Sequence, residues 1–489
     1  MNYEQRQTWS NHTRNQCCEP LRLYRPSALN DLRHIVRAAE SAGCTCRAVG
    51  SGHAWSDVAL THGFLVETHG LDRILELDID LLRQGVDPSY LVRTEAGIKL
   101  RALNQVLDQR GFALTNMGGY DEQTVAGVMS TSTHGSGLEF GPLSSFARSI
   151  DLVASGARLL RIEPTQGITD PTKFGTRFPE WKLVQDDDWF RAVSVGVGCL
   201  GLIYAVTLAV EPAYWLTEAR RRSEWSTVKR DLQTGDVLRS NRHYEVYFNP
   251  YRVKQRDPKC LVTTRVRASS PEGKSREKRQ RNPISQLGSS LPLVPSLINL
   301  VLDLWPRLSP RVIDSALKTL EDPEYSNKSY KVLNIGAPNK LPAYSSEIGV
   351  PVDGRHIEAV ELIMEIAQKY LKLGQAYHTS PIALRFVRAS DAYLSMMHGH
   401  DTMMIELIQM TDTEGGMALL TEYEEQLYRL GGRPHWGQIN FLTGSHNLVG
   451  SMYPQYARWL AVHDAINATG VFDSPFSKRV GISRSAFVP

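Results

Sequence analysis

The chain has 489 residues, 42% hydrophobic and 22% charged, with a formal net charge of +3. That length exceeds what one hydrophobic core usually holds, so two or more lobes are expected, and the composition excludes a disordered chain. The slight positive balance excludes the strongly basic face of a nucleic-acid-binding protein. The polar opening MNYEQRQTWSNHTRNQ does not have the pattern of a secretory signal. No run reaches the roughly 20 apolar residues of a membrane span. A cytoplasmic protein is expected. The six cysteines include Cys17-Cys18 and Cys44-x-Cys46, spacings of neither a disulfide framework nor a zinc site. Reduced thiols and no metal are therefore expected.

In chain order, residues 26–43 have helical periodicity, with Pro26 and Ser27 at the start and Gly43 after the end. CRAVG reads as a strand. GFLVETHGLDRILELD reads as strand, turn and strand, and LVRTEAGIKLRALNQVLDQRGFAL as strand and helix. SVGVGCLGLIYAVTLAVEP is a glycine-rich turn followed by a buried strand. This alternation predicts an α+β or α/β lobe over about the first 210 residues. The middle differs: HYEVYFNPY, KCLVTTRVRAS, IALRFVRAS and TMMIELIQMT read as strands of a second sheet, and DGRHIEAVELIMEIAQKYL as a covering helix.

Three glycine clusters lie in the first lobe. Gly50-Ser51-Gly52-His53 follows a strand, but lacks the third glycine of a dinucleotide fingerprint and the G-K-[ST] of a P-loop. Glycine permits close backbone approach and φ > 0, and successive N–H groups in such turns form anion-binding nests. His53 at its tip could be a base, a metal ligand, an attachment point or an ordinary turn residue. The second cluster, NMGGYDEQTVAGVMSTSTHGSG at 116–137, combines small residues, hydroxyls and a histidine. The third is GVGCLG at 196–201. Together they point to a large phosphate-bearing cofactor without saying which.

The stretches RAVGSGHAWSDVALTHGFLVETHGLDRILELD and DEQTVAGVMSTSTHGSGLEFGPLSSFARSIDLV resemble the FAD-binding PCMH-type domain of the vanillyl-alcohol-oxidase superfamily. RHYEVYFNPY, EIGVPVD, GGRPHWGQINFLT and INATGVFDSPFSKRVGI resemble its sugar-1,4-lactone oxidase and alditol oxidase branch. The resemblance implies an α+β, two-lobe protein: an FAD-binding domain at 1–212, a cap domain at 213–445 with an antiparallel sheet covered by helices, and a segment at 446–489 returning to the FAD domain. It implies FAD covalently bound through His53. Gly50, Ser51, Gly52, Ala54 and Trp55 are expected to line the cofactor. So are Met117, Gly118, Gly127, Ser130, Ser132, Thr133 and His134 from the second cluster and Ile203 from the third. The activity implied is oxidation of a CH–OH group by hydride transfer to the flavin, with O2 as acceptor. The alternatives are a pathway-specific flavin oxidase or dehydrogenase on a less polar substrate, and a flavin-bound scaffold that has lost turnover.

The sequence departs from that branch at two places. The branch carries E-x-R on a cap strand and R-P-H-W-[GA]-K near the end of the cap. Here PIALRFVRAS keeps Arg385 but has Ala383 at the glutamate position, and RPHWGQ has Gln438 at the lysine position. Strand alternation is expected to align Ala383, Arg385 and Val387 on one face, and Gln438 with Asn440. Arg385, His435 and Gln438 are the catalytic candidates. Arg385 can stabilise negative charge developing in the transition state or grip a substrate carboxylate or carbonyl. Glu406, on the following strand, is the candidate to replace the missing carboxylate. His435, His378 and Tyr393 are candidate bases. With two polar groups missing, simple alditols and sugar lactones are expected to be poor substrates, and restoring the pattern at 383 and 438 to improve them. Residues 273–308 join a basic run, GKSREKRQR, to the apolar SLPLVPSLINLVLDLWPRL. They read either as a peripheral membrane contact or as a solvated loop and a helix packed on the cap.

Overall fold

The helical periodicity at 26–43 produces α1 (Leu29–Ser41), which buries Leu32, Ile35, Val36 and Ala39. It packs on a four-stranded sheet of β1 (Tyr3–Gln5), β2 (Arg22–Tyr24), β3 (Cys46–Val49) and β4 (Phe64–Glu67), in the order β1-β2-β4-β3. The computed structural model from which this description comes describes residues 3–268, 302, 304–335, 343–444 and 448–483. A second, six-stranded sheet follows. Its strands are β5 (Ile74–Leu75), β6 (Leu91–Glu95), β7 (Ala147–Val153), β8 (Leu159–Glu163), β9 (Trp181–Gln185) and β10 (Leu202–Ala209), ordered β9-β8-β7-β10-β6-β5. Between its strands run α2 (Leu100–Gln109) and the short α3 (Val125–Ser130), where the hydroxyl of Thr124 caps the helix by accepting from the N–H of Gly127.

The strands expected in the middle of the chain join one eight-stranded antiparallel sheet. In chain order they are β11 (Trp215–Glu224), β12 (His243–Phe248), β13 (Lys259–Ala268), β14 (Asp322–Lys328), β15 (Ala343–Pro351), β16 (Ile382–Val387), β17 (Thr402–Met410) and β18 (Arg433–Pro434). Their spatial order is β14-β11-β13-β12-β16-β17-β15-β18. Two helices, α4 (Arg355–Leu373) and α5 (Gly416–Arg429), cover one face. That face carries the directly opposed residues Val246, Leu384, Ile405 and Ile348, each fully buried in the core beneath the helices. One residue along each strand, the register places Tyr247, Ala383, Glu406 and Glu347 in a row on the other face. Because side chains alternate across a strand, the same pairing builds an apolar face and a polar one.

The last described segment returns to the first part of the chain. Trp459 and Ile466 of α6 (Tyr456–Ile466), Phe476 and Val480 of α7 (Pro475–Val480), and Ile482 share one core with Ile150, Leu160 and Val206. Arg479 clamps Asp57 with two hydrogen bonds of 2.9 and 2.6 Å. Cys46 N–H donates to the carbonyl of Val471 at 2.6 Å. All six cysteines are free. The segment 273–308 lies outside the described residues as far as 301 and again at 303. No helix among the described residues is long and apolar enough to cross a membrane.

Candidate functional site: a glycine-lined channel and an ionic chamber

Two adjoining cavities occupy the ground between the sheets. The first is lined by residues 47–55 within and after β3, by Thr124, Gly127, Ser130 and Thr133 around α3, and by Val197, Gly198, Gly201 and Ile203 before and within β10. Its wall depends on close backbone packing. A Cβ on Gly50 would lie 2.1 Å from Oγ1 of Thr124, and Gly52 has φ +66°. Among the described residues, the N–H groups of Ser51, Gly52, His53 and Ala54 donate to no protein acceptor. Such a run of unpaired donors in a cleft suits an anionic group such as a diphosphate. The turn is held from behind by the N-terminal segment. Asn11 Nδ2 donates to Ala54 O at 2.8 Å and Asn15 Nδ2 to Trp55 O at 2.8 Å, while His12 N–H donates to Gly52 O at 2.8 Å.

Of the residues expected around the cofactor, Gly50, Ser51, Gly52, His53, Ala54, Trp55, Gly127, Ser130, Thr133 and Ile203 line this channel. Gly118 and His134 line the second cavity instead. Met117 and Ser132 line neither. The Met117 side chain belongs to an apolar cluster with Tyr214, Leu216 and Leu333, and the Ser132 hydroxyl bonds that of Ser395 at 2.8 Å.

The second cavity, of about 380 Å³, shares His53, Trp55, Gln123, Thr133, His435 and Gln438 with the channel. The polar row of the eight-stranded sheet forms its floor, with Tyr247, Glu406 and Glu347 on the wall and Arg385 beside them. Arg385 Nη2 donates to Glu406 Oε2 at 2.8 Å and Nη1 to Glu347 Oε1 at 3.5 Å. His134 Nε2 lies 3.3 Å from Glu347 Oε1, and its Nδ1 faces the carbonyl of Gly135 at 2.8 Å. Burial works against ionising Glu347, but His134, His435 and Arg385 outweigh it and hold its pKa down at about 2. Burial raises that of Glu406, an effect Arg385 only partly offsets. Burial also opposes the charge on Arg385, yet Glu406, Tyr247, Glu347 and Glu245 raise its pKa well above the usual value. His134, Glu347 and His435 offer ligand atoms within 4.8 Å of one another. The Arg385 guanidinium on Glu347 sets a positive charge against any cation there.

The RPHWGQ stretch folds differently from the expected strand. Only Arg433–Pro434 pairs, as β18, and His435–Gln438 form a turn in which Gln438 N–H donates to His435 O at 3.0 Å. The alignment of Gln438 with Asn440 on a strand face therefore does not occur. The turn docks on the glycine loop instead: Trp55 N–H donates to Gly437 O at 2.8 Å and Ser56 Oγ to Trp436 O at 2.6 Å. Within it, Gly437 N–H donates to His435 Nδ1 at 3.0 Å, so the proton of the neutral ring sits on Nε2. Burial pushes the His435 pKa down to about 4. Among the described residues, the buried Gln438 Oε1 has no hydrogen-bond partner. Of the other candidate bases, His378 packs edge-on against Tyr423 of α5 and Tyr393 donates its hydroxyl to Asp188. Neither lines the channel or the chamber.

His53 stands where the cavities meet, its ring 4.4 Å from that of His12 and 4.9 Å from that of Tyr120. Burial, reinforced by His12, lowers its pKa to about 4 and leaves the imidazole neutral at pH 7. His12, Tyr120, Tyr247 and Glu347 line the chamber and were not among the residues singled out in sequence. Glu347 carried one signal, a carboxylate inside the otherwise uncharged strand AYSSEIGVP.

A glycine-lined nucleotide channel opening into a charged chamber beneath an antiparallel cap defines an FAD-dependent oxidoreductase of PCMH type. Two family models match the chain, "FAD binding domain" over residues 20–163 and "D-arabinono-1,4-lactone oxidase" over residues 206–480. The second spans more than half of it, and the chain belongs to the D-arabinono-1,4-lactone oxidase family. It is similar to the L-gulono-1,4-lactone dehydrogenase of Mycobacterium tuberculosis, 29% identical over 96% of this chain and 98% of that protein. It is also similar to the L-gulonolactone oxidase of Mus musculus, 24% identical over 95% and 96%. Its fold is that of a solvent-stable cholesterol oxidase, with a TM-score of 0.76 over 98% of each chain at 17% identity.

Proposed function

We propose that the protein oxidises a CH–OH group of a small polyhydroxylated lactone of the aldono-1,4-lactone class, with FAD joined covalently to His53 and O2 as the final acceptor. The observation that carries this reading is the chamber wall, where Arg385 lies between Glu347 and Glu406 directly beside the glycine-lined channel. The names of the relatives, lactone oxidases and a lactone dehydrogenase, support the substrate class. The sequence argument against lactones rested on two missing groups, the glutamate replaced by Ala383 and the lysine replaced by Gln438. Glu406 brings a carboxylate from the neighbouring strand, directly opposite Ala383, which answers the first of these two; Gln438 still stands where the branch has a lysine.

Bound FAD supplies the hydride acceptor. The chain's own groups have separate tasks. The free N–H groups of residues 51–54 hold the diphosphate, and the neutral His53 ring offers a nitrogen lone pair for the covalent link. Arg385, charged throughout the working pH range, stabilises negative charge as it develops near the reacting carbon. The His435 Nε2–H and the Gln438 carboxamide donate to substrate oxygens where the cavities meet. The test is anaerobic mixing of the holoprotein with L-gulono-1,4-lactone and D-arabinono-1,4-lactone, followed at the flavin absorbance. Bleaching within seconds is expected, and a flavin that stays oxidised with every aldonolactone overturns the reading. Reoxidation on admitting air tests O2 as acceptor.

A further inference from the structure

We propose that Glu406 is the catalytic base of this reaction, accepting the hydroxyl proton of the substrate, and that Glu347 is a positioning residue. The proposal rests on the lactone-oxidising reading above. Of the groups on the chamber wall that could accept a proton, Glu406, Glu347 and His435 surround Arg385, and geometry separates these three. His435 has its Nδ1 lone pair engaged by Gly437 N–H and its proton on Nε2, so it presents a donor to the chamber. Glu347 is almost closed off, with a side chain 4% exposed, and is held between His134 Nε2 and Arg385. Glu406 is more open at 16%, and Arg385 occupies only its Oε2. No hydrogen bond from the described protein reaches its Oε1, and Glu406 lines the chamber.

The register adds a second argument. In the row Tyr247–Ala383–Glu406–Glu347, the residue beside Glu406 is an alanine. Directly opposed residues of an antiparallel pair share a face. The small Ala383 side chain is itself buried, and the chamber wall on either side of it is formed by Tyr247 and Glu406. The groups facing Glu406 are Arg385 from β16, Glu347 from β15, Tyr247 from β12, and His134 and His435 from the loops above. Arg385 keeps Glu406 ionised enough to act, while burial makes it more basic than an exposed glutamate, and basicity near the working pH favours proton abstraction. A carboxylate pinned at about 2, as Glu347 is, is a poor base. In the step, the substrate O–H bond breaks and the proton joins Glu406. The C–H bond breaks and its hydrogen leaves with the electron pair as hydride to the flavin. The C–O bond becomes C=O, and Glu406 later releases its proton to water.

The experiment is anaerobic stopped-flow reduction of the full-length holoprotein by L-gulono-1,4-lactone across pH, with the FAD-to-protein absorbance ratio confirming that each variant is folded and loaded. The unmodified rate should rise with pH through a group lying above the ordinary glutamate value of 4.5. Glu406→Gln should slow reduction by about 10²–10⁴-fold, the usual range for a general base, and flatten that pH dependence. Ala383→Glu combined with Glu406→Ala should regain roughly tenfold or more over Glu406→Ala alone, since residue 383 presents a carboxylate to the same spot. Glu347→Gln should weaken lactone binding and keep the pH dependence. Reduction by Glu406→Gln within about threefold of the unmodified protein, or with the pH dependence intact, overturns the assignment of Glu406 while leaving the lactone reading standing. An unmodified flavin that the lactone cannot reduce overturns both.

Discussion

The channel and the chamber touch along six shared residues, yet they are built in opposite ways. The channel is made of backbone. Its wall comes from short contiguous stretches built around glycines and small residues, and its ligand groups are N–H donors. The chamber is made of side chains. Its charged groups, Arg385, Glu347 and Glu406, come from three neighbouring strands, and each is shaped by its neighbours' charge and burial. The contrast teaches where each kind of site tolerates change. A channel fails when anything is added to it. A chamber fails when a charge is moved or left without its partner, because a buried ion lacking its counter-charge is costly.

The sharpest test of the contrast is His53→Ala, which removes the proposed bond and little else. Acid precipitation should release all the flavin from the variant and none from the unmodified protein, and release from both removes the covalent assignment. Arg385→Ala strips the chamber of its fixed positive charge. Flavin reduction by L-gulono-1,4-lactone should slow by about tenfold to a thousandfold, and an unchanged rate dismisses Arg385 from the reaction. Gly50→Val should act on the channel alone. Its added atoms fall on Thr124, and overpacking of about 1–3 kcal/mol weakens the capture of FAD before the bond forms by roughly 5- to 150-fold, read as a lower FAD-to-protein absorbance ratio. Full FAD content would show that the wall yields. Ala383→Glu, with Glu406 retained, sets two carboxylates directly opposite each other, and like charges so placed repel. Lactone-driven reduction should fall, by roughly tenfold or less, reversing the gain that the sequence pattern suggested. A faster variant would show that the row accommodates both.

The smallest effect expected is on stability and serves as a control outside both cavities. Burial pushes the pKa of Glu424, in α5, up to about 7. The fold therefore favours its protonated form. That contribution is complete below the unfolded value of about 4.5 and is lost as pH rises through 7. Glu424→Gln should flatten the decline of Tm across that window by a few degrees and leave flavin reduction unchanged. A Tm profile identical to that of the unmodified protein contradicts the shift.

The same contrast explains what could be read in advance. The glycine loop was legible because residues 50–55 are consecutive and their conformational demands are local. The strands beneath the chamber were legible too, from alternation in HYEVYF and IALRFV. Their register was not, because pairing depends on residues more than a hundred positions apart, as Tyr247 with Ala383 shows. Hence Glu406 could be suspected but not placed, and Glu347 was passed over although it lies in a stretch matched to the family. His378 misled for a related reason. It precedes β16 by a few residues, yet it turns toward α5 and away from the polar face. At Gln438 a hydrogen bond from Gly437 to the preceding histidine favours a turn over the strand that alternation suggested.

The row Tyr247–Ala383–Glu406–Glu347 has an evolutionary corollary. Positions that face one another across a sheet are interchangeable addresses for a single charge. A carboxylate can leave one strand and reappear on the next through two point substitutions, with the backbone untouched. A protein that has done so looks, column by column, as though it had lost an active-site residue. Descent along such a path is read correctly only by comparing rows of the folded sheet. A chain dismissed as degenerate for want of one glutamate can hold its replacement on the strand alongside.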